Sequence, residues 1–174
     1  SLGIVPQDLA IYEDLNAYDN VAFFCSLYGI RGMELKEKVK KALEFVGLWD
    51  RRKDLPSKFS GGMKRRLNIA CAITHEPELL IMDEPTVGID PQSRNKILEA
   101  VKELNRTGTT VIYTSHYMEE IEALCNRIVL LDKGNVIEDL SKNDYKAKYE
   151  QMGCSTLEDI FLYTTGTDLR DMEG

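Results

Sequence analysis

The chain has 174 residues, of which 43% are hydrophobic and 29% charged, and its formal net charge at pH 7 is −7. These values are typical of a globular protein, and the length suffices for one compact domain or for one domain with an appendage. The acidic balance argues against a nucleic-acid-binding protein, because such proteins usually carry a basic surface.

The first 75 residues are predicted to be mainly helical after a short opening strand. We expect a strand over residues 2–5 and helices over residues 16–27, 35–46 and 61–75. Gly47 is a plausible stop for the second helix, and Ser60 has the residue type and position of an N-cap for the third. That third helix is expected to end before Pro77, because the residue before a proline disfavours helical geometry.

Residues 76–140 have the pattern of alternating strands and helices. Leu79 to Met82 is a continuous apolar run, as in a strand buried on both faces of a parallel sheet. Asp90-Pro91 fits a cap and first turn of a helix, and residues 109–114 are rich in β-branched side chains. This order predicts an α/β fold with a parallel sheet and right-handed crossovers.

The remaining elements are predicted less sharply. A short helix over residues 118–125 and a β-hairpin turning at residues 132–135 are expected. From Ser141 the chain is polar, and Ser155 with Glu158 forms a capping-box pattern before one more short helix.

The sequence gives little indication of disulfides, metal clusters or membrane spans. Its four cysteines are far apart and form no C-x-x-C pair, which favours free thiols: Cys25, Cys71, Cys125 and Cys154. No stretch approaches the ~18 consecutive apolar residues of a transmembrane helix. Any contact with a membrane is therefore expected to run through a partner protein.

Asp83 and Glu84 directly follow the apolar strand. Ligands of open parallel sheets bind at the carboxyl ends of strands. A carboxylate at this position can hold Mg²⁺, usually together with water, and a second can orient or deprotonate a water molecule. A pair of solvated acids at a strand end is the plain alternative.

Ser60, Gly61 and Gly62 open a predicted helix. Their backbone N–H groups lie at the positive end of the helix dipole, and glycine lets a phosphate approach the backbone closely. An ordinary capped helix explains the same pattern, so this motif by itself is weak.

Gln7 and His116 each follow a predicted strand. A glutamine amide can bind a metal or a water, and an imidazole can donate a hydrogen bond to a phosphate oxygen. Taken singly, each residue has an ordinary structural explanation.

The order of these residues closely resembles the ATP-binding cassette (ABC) ATPase family. Five stretches in turn are similar to its Q-loop, LSGGQ signature, Walker B strand with catalytic glutamate, D-loop and H-loop. They are Val5-Pro6-Gln7, Phe59-Ser60-Gly61-Gly62-Met63, Leu79 to Pro85, Gly88-Ile89-Asp90-Pro91 and Thr114-Ser115-His116. The resemblance covers about residues 3–140 and implies a partial P-loop NTPase (RecA-like) sheet with an α-helical subdomain.

The resemblance also implies roles within a head-to-tail dimer around ATP and Mg²⁺. Asp83 would hold the metal, Glu84 would polarise the attacking water and His116 would contact the γ-phosphate. Gln7 would touch metal and water.

By the same resemblance, Ser60, Gly61 and Gly62 would contact the ATP of the other subunit, and Asp90 would link the two sites.

Two departures from the family pattern stand out. Phe59 and Met63 replace the usual Leu and Gln of the signature, while Ser60 and Gly62 are kept. No G-x-x-x-x-G-K-[ST] phosphate-binding loop (Walker A) occurs anywhere in the chain. We therefore expect the chain to begin partway into the domain and, by itself, to bind ATP poorly and hydrolyse it negligibly.

The expected partners are a transmembrane permease subunit and a second ATPase domain, with no nucleic acid. Residues 155–166 resemble the end of ATPase subunits of multidrug or lipid exporters, which implies export and a place on the inner face of the cell membrane. The region around Ile11, Tyr12, Leu15 and Tyr28 is the expected docking surface, with ordinary core packing as an equal alternative.

Two alternatives stay open: a non-transport ABC ATPase of translation or DNA repair, and a non-catalytic binding module. Repair members carry a long coiled-coil insertion, whereas only about fifty residues separate Gln7 from Ser60, without sustained heptads. We expect three parts: residues 1–75 with Q-loop and signature, 76–140 as half of the ATPase core, and 141–174 as the tail.

Overall fold

A three-stranded parallel sheet organises the first 115 residues in this computed structural model, which describes residues 1–150 and 152–166. Its strands are β1 (Leu2–Val5), β2 (Leu79–Asp83) and β3 (Thr110–Thr114), in that spatial order. Both pairings are parallel, with Val5 opposite Met82 and Asp83 opposite Thr114. The predicted α/β class and parallel sheet are confirmed.

Four helices accompany this sheet, and each lies where the sequence predicts one. They are α1 (Ala17–Leu27), α2 (Gly32–Phe45), α3 (Gly61–Ile73) and α4 (Pro91–Arg106). Short 3₁₀ turns at Trp49–Arg51 and Pro56–Lys58 lead into α3. Helix α2 begins three residues earlier than its apolar periodicity indicates, because its first turn is exposed and contributes nothing to the core.

Helix α3 is the centre of this unit. Nine of its thirteen residues are buried, and it packs against α1, α2 and β1. The contact with β1 is very close: a β-carbon on Gly3 would fall 2.5 Å from the backbone oxygen of Ala72. Only glycine therefore lets the first strand lie against the end of α3.

The described residues from His116 to Gly166 form a second compact unit. It contains α5 (Met118–Leu124), the antiparallel strands β4 (Arg127–Asp132) and β5 (Asn135–Ser141), α6 (Lys142–Glu150) and α7 (Leu157–Thr165). Its core consists of Tyr145, Tyr149, Cys154, Leu157 and Ile160.

The tail differs from the prediction in two respects. Helix α6 is absent from the prediction because its sequence is polar and its two buried residues, Tyr145 and Tyr149, show no wider apolar stripe. The capping box of α7 uses Thr156 and Asp159, one residue beyond the predicted Ser155 and Glu158. The predicted tail also includes residues 151 and 167–174, which lie outside the described residues.

The division at residues 75 and 140 stays a prediction. Among the described residues, no helix has the length and apolarity needed to cross a membrane.

Candidate functional site

The acid pair stands at the carboxyl end of β2, where the hydroxyl of Thr114 organises it. Thr114 Oγ1 donates a hydrogen bond to Asp83 Oδ1 at 2.5 Å. The same hydroxyl accepts from the backbone N–H of Glu84 at 3.1 Å, and that N–H also lies 3.2 Å from the Thr114 carbonyl oxygen. One side chain on the neighbouring strand thus sets the position of both acids.

Glu84 has an unusual backbone conformation, with φ of +44°. A positive φ in a non-glycine residue is strained by about 1 kcal/mol, and such strain is concentrated at functional sites. It turns the chain sharply out of β2 into the loop that leads to Asp90. The Glu84 side chain is half-buried, while Asp83 is exposed.

Gln7 lies at the same edge of the sheet. It follows β1 by two residues, and β1 runs parallel to β2 with Val5 opposite Met82. Its side chain is exposed. Arg65 of α3 holds its backbone, donating from Nη1 to the carbonyl oxygen of Pro6 at 2.8 Å and from Nη2 to that of Gln7 at 2.5 Å.

The start of α3 confirms Ser60 as an N-cap. Its Oγ accepts a hydrogen bond from the backbone N–H of Met63 at 3.2 Å, and Ser60 is exposed. Gly61 is also exposed, with nothing within 4 Å of where a β-carbon would stand. An exposed helix N-terminus of this kind favours anions.

Gly62 differs from Gly61 because it is buried against the first turn of α4. A β-carbon there would lie 2.1 Å from Ser93 Oγ and 3.3 Å from Asp90 Oδ2. Asp90 caps α4, with its Oδ1 accepting from the Ser93 backbone N–H at 2.9 Å. That hydrogen bond lowers the pKa of Asp90 and keeps it ionised.

His116 is the first residue of the second unit. Its ring is exposed and lies tilted over Tyr117, with 4.2 Å between the ring centroids.

The residues present fit a magnesium ion better than a metal with several protein ligands. Among the described residues, no group of three or more His, Cys, Asp or Glu side chains is arranged to hold a metal. Mg²⁺ typically takes only one or two carboxylates and fills its shell with water and phosphate oxygens. Exposed Asp83, with Glu84 beside it, offers that donor set.

A cleft of about 540 Å³ opens beside β1, between α1 and α3. Tyr28 from the predicted docking surface lines it, and its ring stacks on His75 at 3.6 Å and 6°. Both side chains meet the Leu2 carbonyl oxygen, Tyr28 at 3.1 Å and His75 at 3.0 Å. Burial lowers the pKa of His75.

Three residues that matter here had no role assigned from the sequence: Asn20, Arg65 and Thr114, the last named only as part of the stretch Thr114-Ser115-His116. Asn20 is fully buried, and its side chain bonds the backbone of Tyr12, Leu15 and Asn16. A polar residue within the apolar face of a helix was the available signal for Asn20. No local sequence pattern indicated the contacts of Arg65 and Thr114, because their partners are distant in sequence.

Comparison with known proteins gives a consistent result. The family model described as "ABC transporter" matches residues 1–87, half of the chain. The linearmycin resistance ATP-binding protein LnrL of Bacillus subtilis is 59% identical over 143 residues, covering 82% of this chain and 46% of its own length. The Nod factor export ATP-binding protein I of Cupriavidus metallidurans is 38% identical over 157 residues, covering 90% and 51%.

A solved structure titled "Structure of ATP binding subunit of ABC transporter" is also similar. Its TM-score is 0.80 at 26% identity, over 94% of this chain and 68% of that one. The chain spans about half the length of the curated relatives it matches.

Proposed function

The chain belongs to the ABC transporter family, and we propose that it is part of an ATPase that binds MgATP and powers export across a membrane. The main support is the shared sheet edge: Asp83 ends β2 and Glu84 follows it, Thr114 of β3 bonds both residues, and Gln7 follows β1. The name of one relative, the Nod factor export ATP-binding protein I, supports the export direction.

In this proposal, Asp83 and the Gln7 amide would hold Mg²⁺, which would supply neutralisation of charge on the transferred phosphoryl group. Glu84 orients and polarises the attacking water from its half-buried position. Its strained backbone fixes the direction in which the side chain leaves the strand.

A second ATPase domain completes the site in a head-to-tail dimer. The exposed start of α3 presents Ser60 and Gly61 to the γ-phosphate of the other subunit's ATP, while Gly62 seats the helix against Ser93. Asp90, ionised and exposed, links the two sites. His116 contacts the γ-phosphate, and its role rests on its place two residues after Thr114 in the sequence.

A transmembrane permease is the proposed partner, which places the protein on the inner face of the membrane. The support is a group of exposed apolar side chains around α1. Tyr12 is 48% exposed, Phe23 38%, Leu27 64% and Tyr28 51%, while Ile11 and Leu15 are half-buried beside them. These aromatic and aliphatic side chains suit a partner helix.

ATP hydrolysis by the assembled transporter tests the proposal through Glu84→Gln. Removing the carboxylate that polarises the water is expected to lower kcat at least ~100-fold while ATP binding persists. Glu99→Gln is the matched control, because Glu99 lies on α4 and pairs only with Lys102 among the ion pairs of the described residues. Equal activity of the two variants would refute the catalytic role.

The chain studied alone is expected to bind MgATP weakly. Its sequence holds no phosphate-binding loop of the Walker A type, whose backbone and lysine supply the main grip on the β- and γ-phosphates. Calorimetric titration of the 174-residue chain with MgATP measures this directly, and tight binding would contradict it. Association with nucleic acid in place of a membrane protein would favour the non-transport alternative.

A further inference from the structure

Arg65 links helix α3 to the segment that carries Gln7, 58 residues away in sequence. It lies on α3, five residues after Ser60, and its guanidinium forks onto two consecutive carbonyl oxygens, those of Pro6 and Gln7. Residues 6–10 have no regular secondary structure, and residues 7–10 are exposed. Their position therefore depends on anchors outside their own segment.

The energetics of Arg65 do not favour a purely stabilising role. The side chain is only 5% exposed, and burial lowers the pKa of its guanidinium. Its partners are neutral carbonyls, its Nε is buried without a hydrogen-bond partner among the described residues, and Asp8 is the acid acting on it. Its two acceptors belong to half-buried Pro6 and exposed Gln7, so water can take the place of the guanidinium when it is removed, and little stability is expected to be lost.

We propose that Arg65 is a positioning residue that makes the Gln7 segment move as one body with the signature helix α3. This inference rests on the proposed function, in which Gln7 contacts metal and water and Ser60 contacts the ATP of the other subunit. Arg65 couples the positions of these two residues. A displacement of α3 would then carry the Gln7 backbone with it through two hydrogen bonds.

Backbone ¹⁵N relaxation of the labelled 174-residue chain tests the link without any nucleotide. In Arg65→Met we expect the amide order parameters of Gln7 and Asp8 to fall from about 0.85 to below about 0.6, the change from rigid to flexible backbone. Arg65→Lys keeps the charge but lacks the planar fork, so an intermediate fall is expected. Unfolding by urea should show Arg65→Met to be as stable as the original chain.

Arg66→Met is the matched control on the same helix. Arg66 donates to the carbonyl oxygen of Val46 at 2.7 Å, so its loss should loosen the Gly47 amide and leave Gln7 and Asp8 rigid. Rigid Gln7 and Asp8 amides in Arg65→Met would overturn the proposal. If Arg65→Met does not fold, unchanged order parameters of Gln7 and Asp8 in Arg65→Lys would overturn the proposal. Neither result bears on Glu84, so the proposed function stands or falls separately.

Discussion

Gly62 on α3 and Ser93 on α4 are in such close contact that Gly62 has no room for a side chain. A β-carbon on Gly62 would lie 2.1 Å from Ser93 Oγ and 2.3 Å from Ser93 Cβ. Rotating the serine hydroxyl relieves the first clash but not the second. The start of α3 is therefore held against the cap of α4, where Asp90 is bonded to the same serine.

Gly62→Ala is expected to destabilise the chain by about 1–3 kcal/mol through this overpacking. Gly61→Ala, one residue away with open space around it, should be neutral or up to ~1 kcal/mol stabilising, because alanine favours helix. Urea unfolding of both variants measures the difference. Adding Ser93→Gly to Gly62→Ala should restore part of the loss, and equal stability of the two single variants would contradict the contact.

Asn20→Asp is expected to cost about 3 kcal/mol of unfolding free energy. The Asn20 side-chain amide donates to the carbonyl oxygens of Tyr12, Leu15 and Asn16, and an aspartate would turn a carboxylate oxygen toward all three. The exposed Asn105 donates to one carbonyl oxygen, that of Thr109. Thermal unfolding should therefore show little change in Asn105→Asp, and a similarly small change in Asn20→Asp would disprove this role.

Thr114→Val should weaken the use of Mg²⁺ by the assembled ATPase about tenfold, as loss of an outer-shell partner commonly does. It removes the hydroxyl that donates to Asp83 and accepts from Glu84. The Mg²⁺ concentration for half-maximal hydrolysis measures the effect. Thr114→Ser keeps the hydroxyl and should behave normally, as should Thr110→Val at the other end of β3. An unchanged Mg²⁺ requirement in Thr114→Val would show that Thr114 does not orient the acids.

The ion pairs of Glu76 are expected to stabilise the fold in a pH-dependent way. Lys38 and Lys41 hydrogen-bond its carboxylate at 2.6 and 2.5 Å, and these bonds lower its pKa to about 2. Because the folded pKa lies below the ordinary value of about 4.5, the stabilisation is complete above that pH and is lost as pH falls toward 2. The stabilisation should stay below ~1 kcal/mol, because the Glu76 side chain is 52% exposed and solvent screens its ion pairs.

The urea midpoints of the original chain and Glu76→Gln measure this window. The two should differ at pH 7 and converge as the pH is lowered from about 4.5 toward 2. Glu44→Gln serves as control, because Glu44 lies 3.7 Å from a single lysine, Lys40. A difference in Glu76→Gln that is constant over the whole range would exclude the ion pairs as its cause.

The comparison of sequence and structure is clearest at the helix starts. Ser60 and Asp90 are N-caps in the structure as predicted, because capping joins a side chain to an N–H group only three residues away. The cap of α7 moved by one residue, to Thr156, because two adjacent hydroxyl residues and two adjacent acids offer the same local pattern. The polar helix α6 was missed because its burial depends on neighbours in the second unit.

The sequence by itself determined the order of the strands and of every helix except α6, the parallel sheet, and the sheet edge at which Asp83 ends its strand and Gln7 and Glu84 follow theirs. Periodicity, capping and strand ends are local properties, settled by residues a few positions apart. Only the tertiary structure decided that Gly62 is a contact with Ser93, that Thr114 orients the acids and that Arg65 holds Gln7. Those partners are 30 to 58 residues apart, and packing, not local pattern, makes them neighbours.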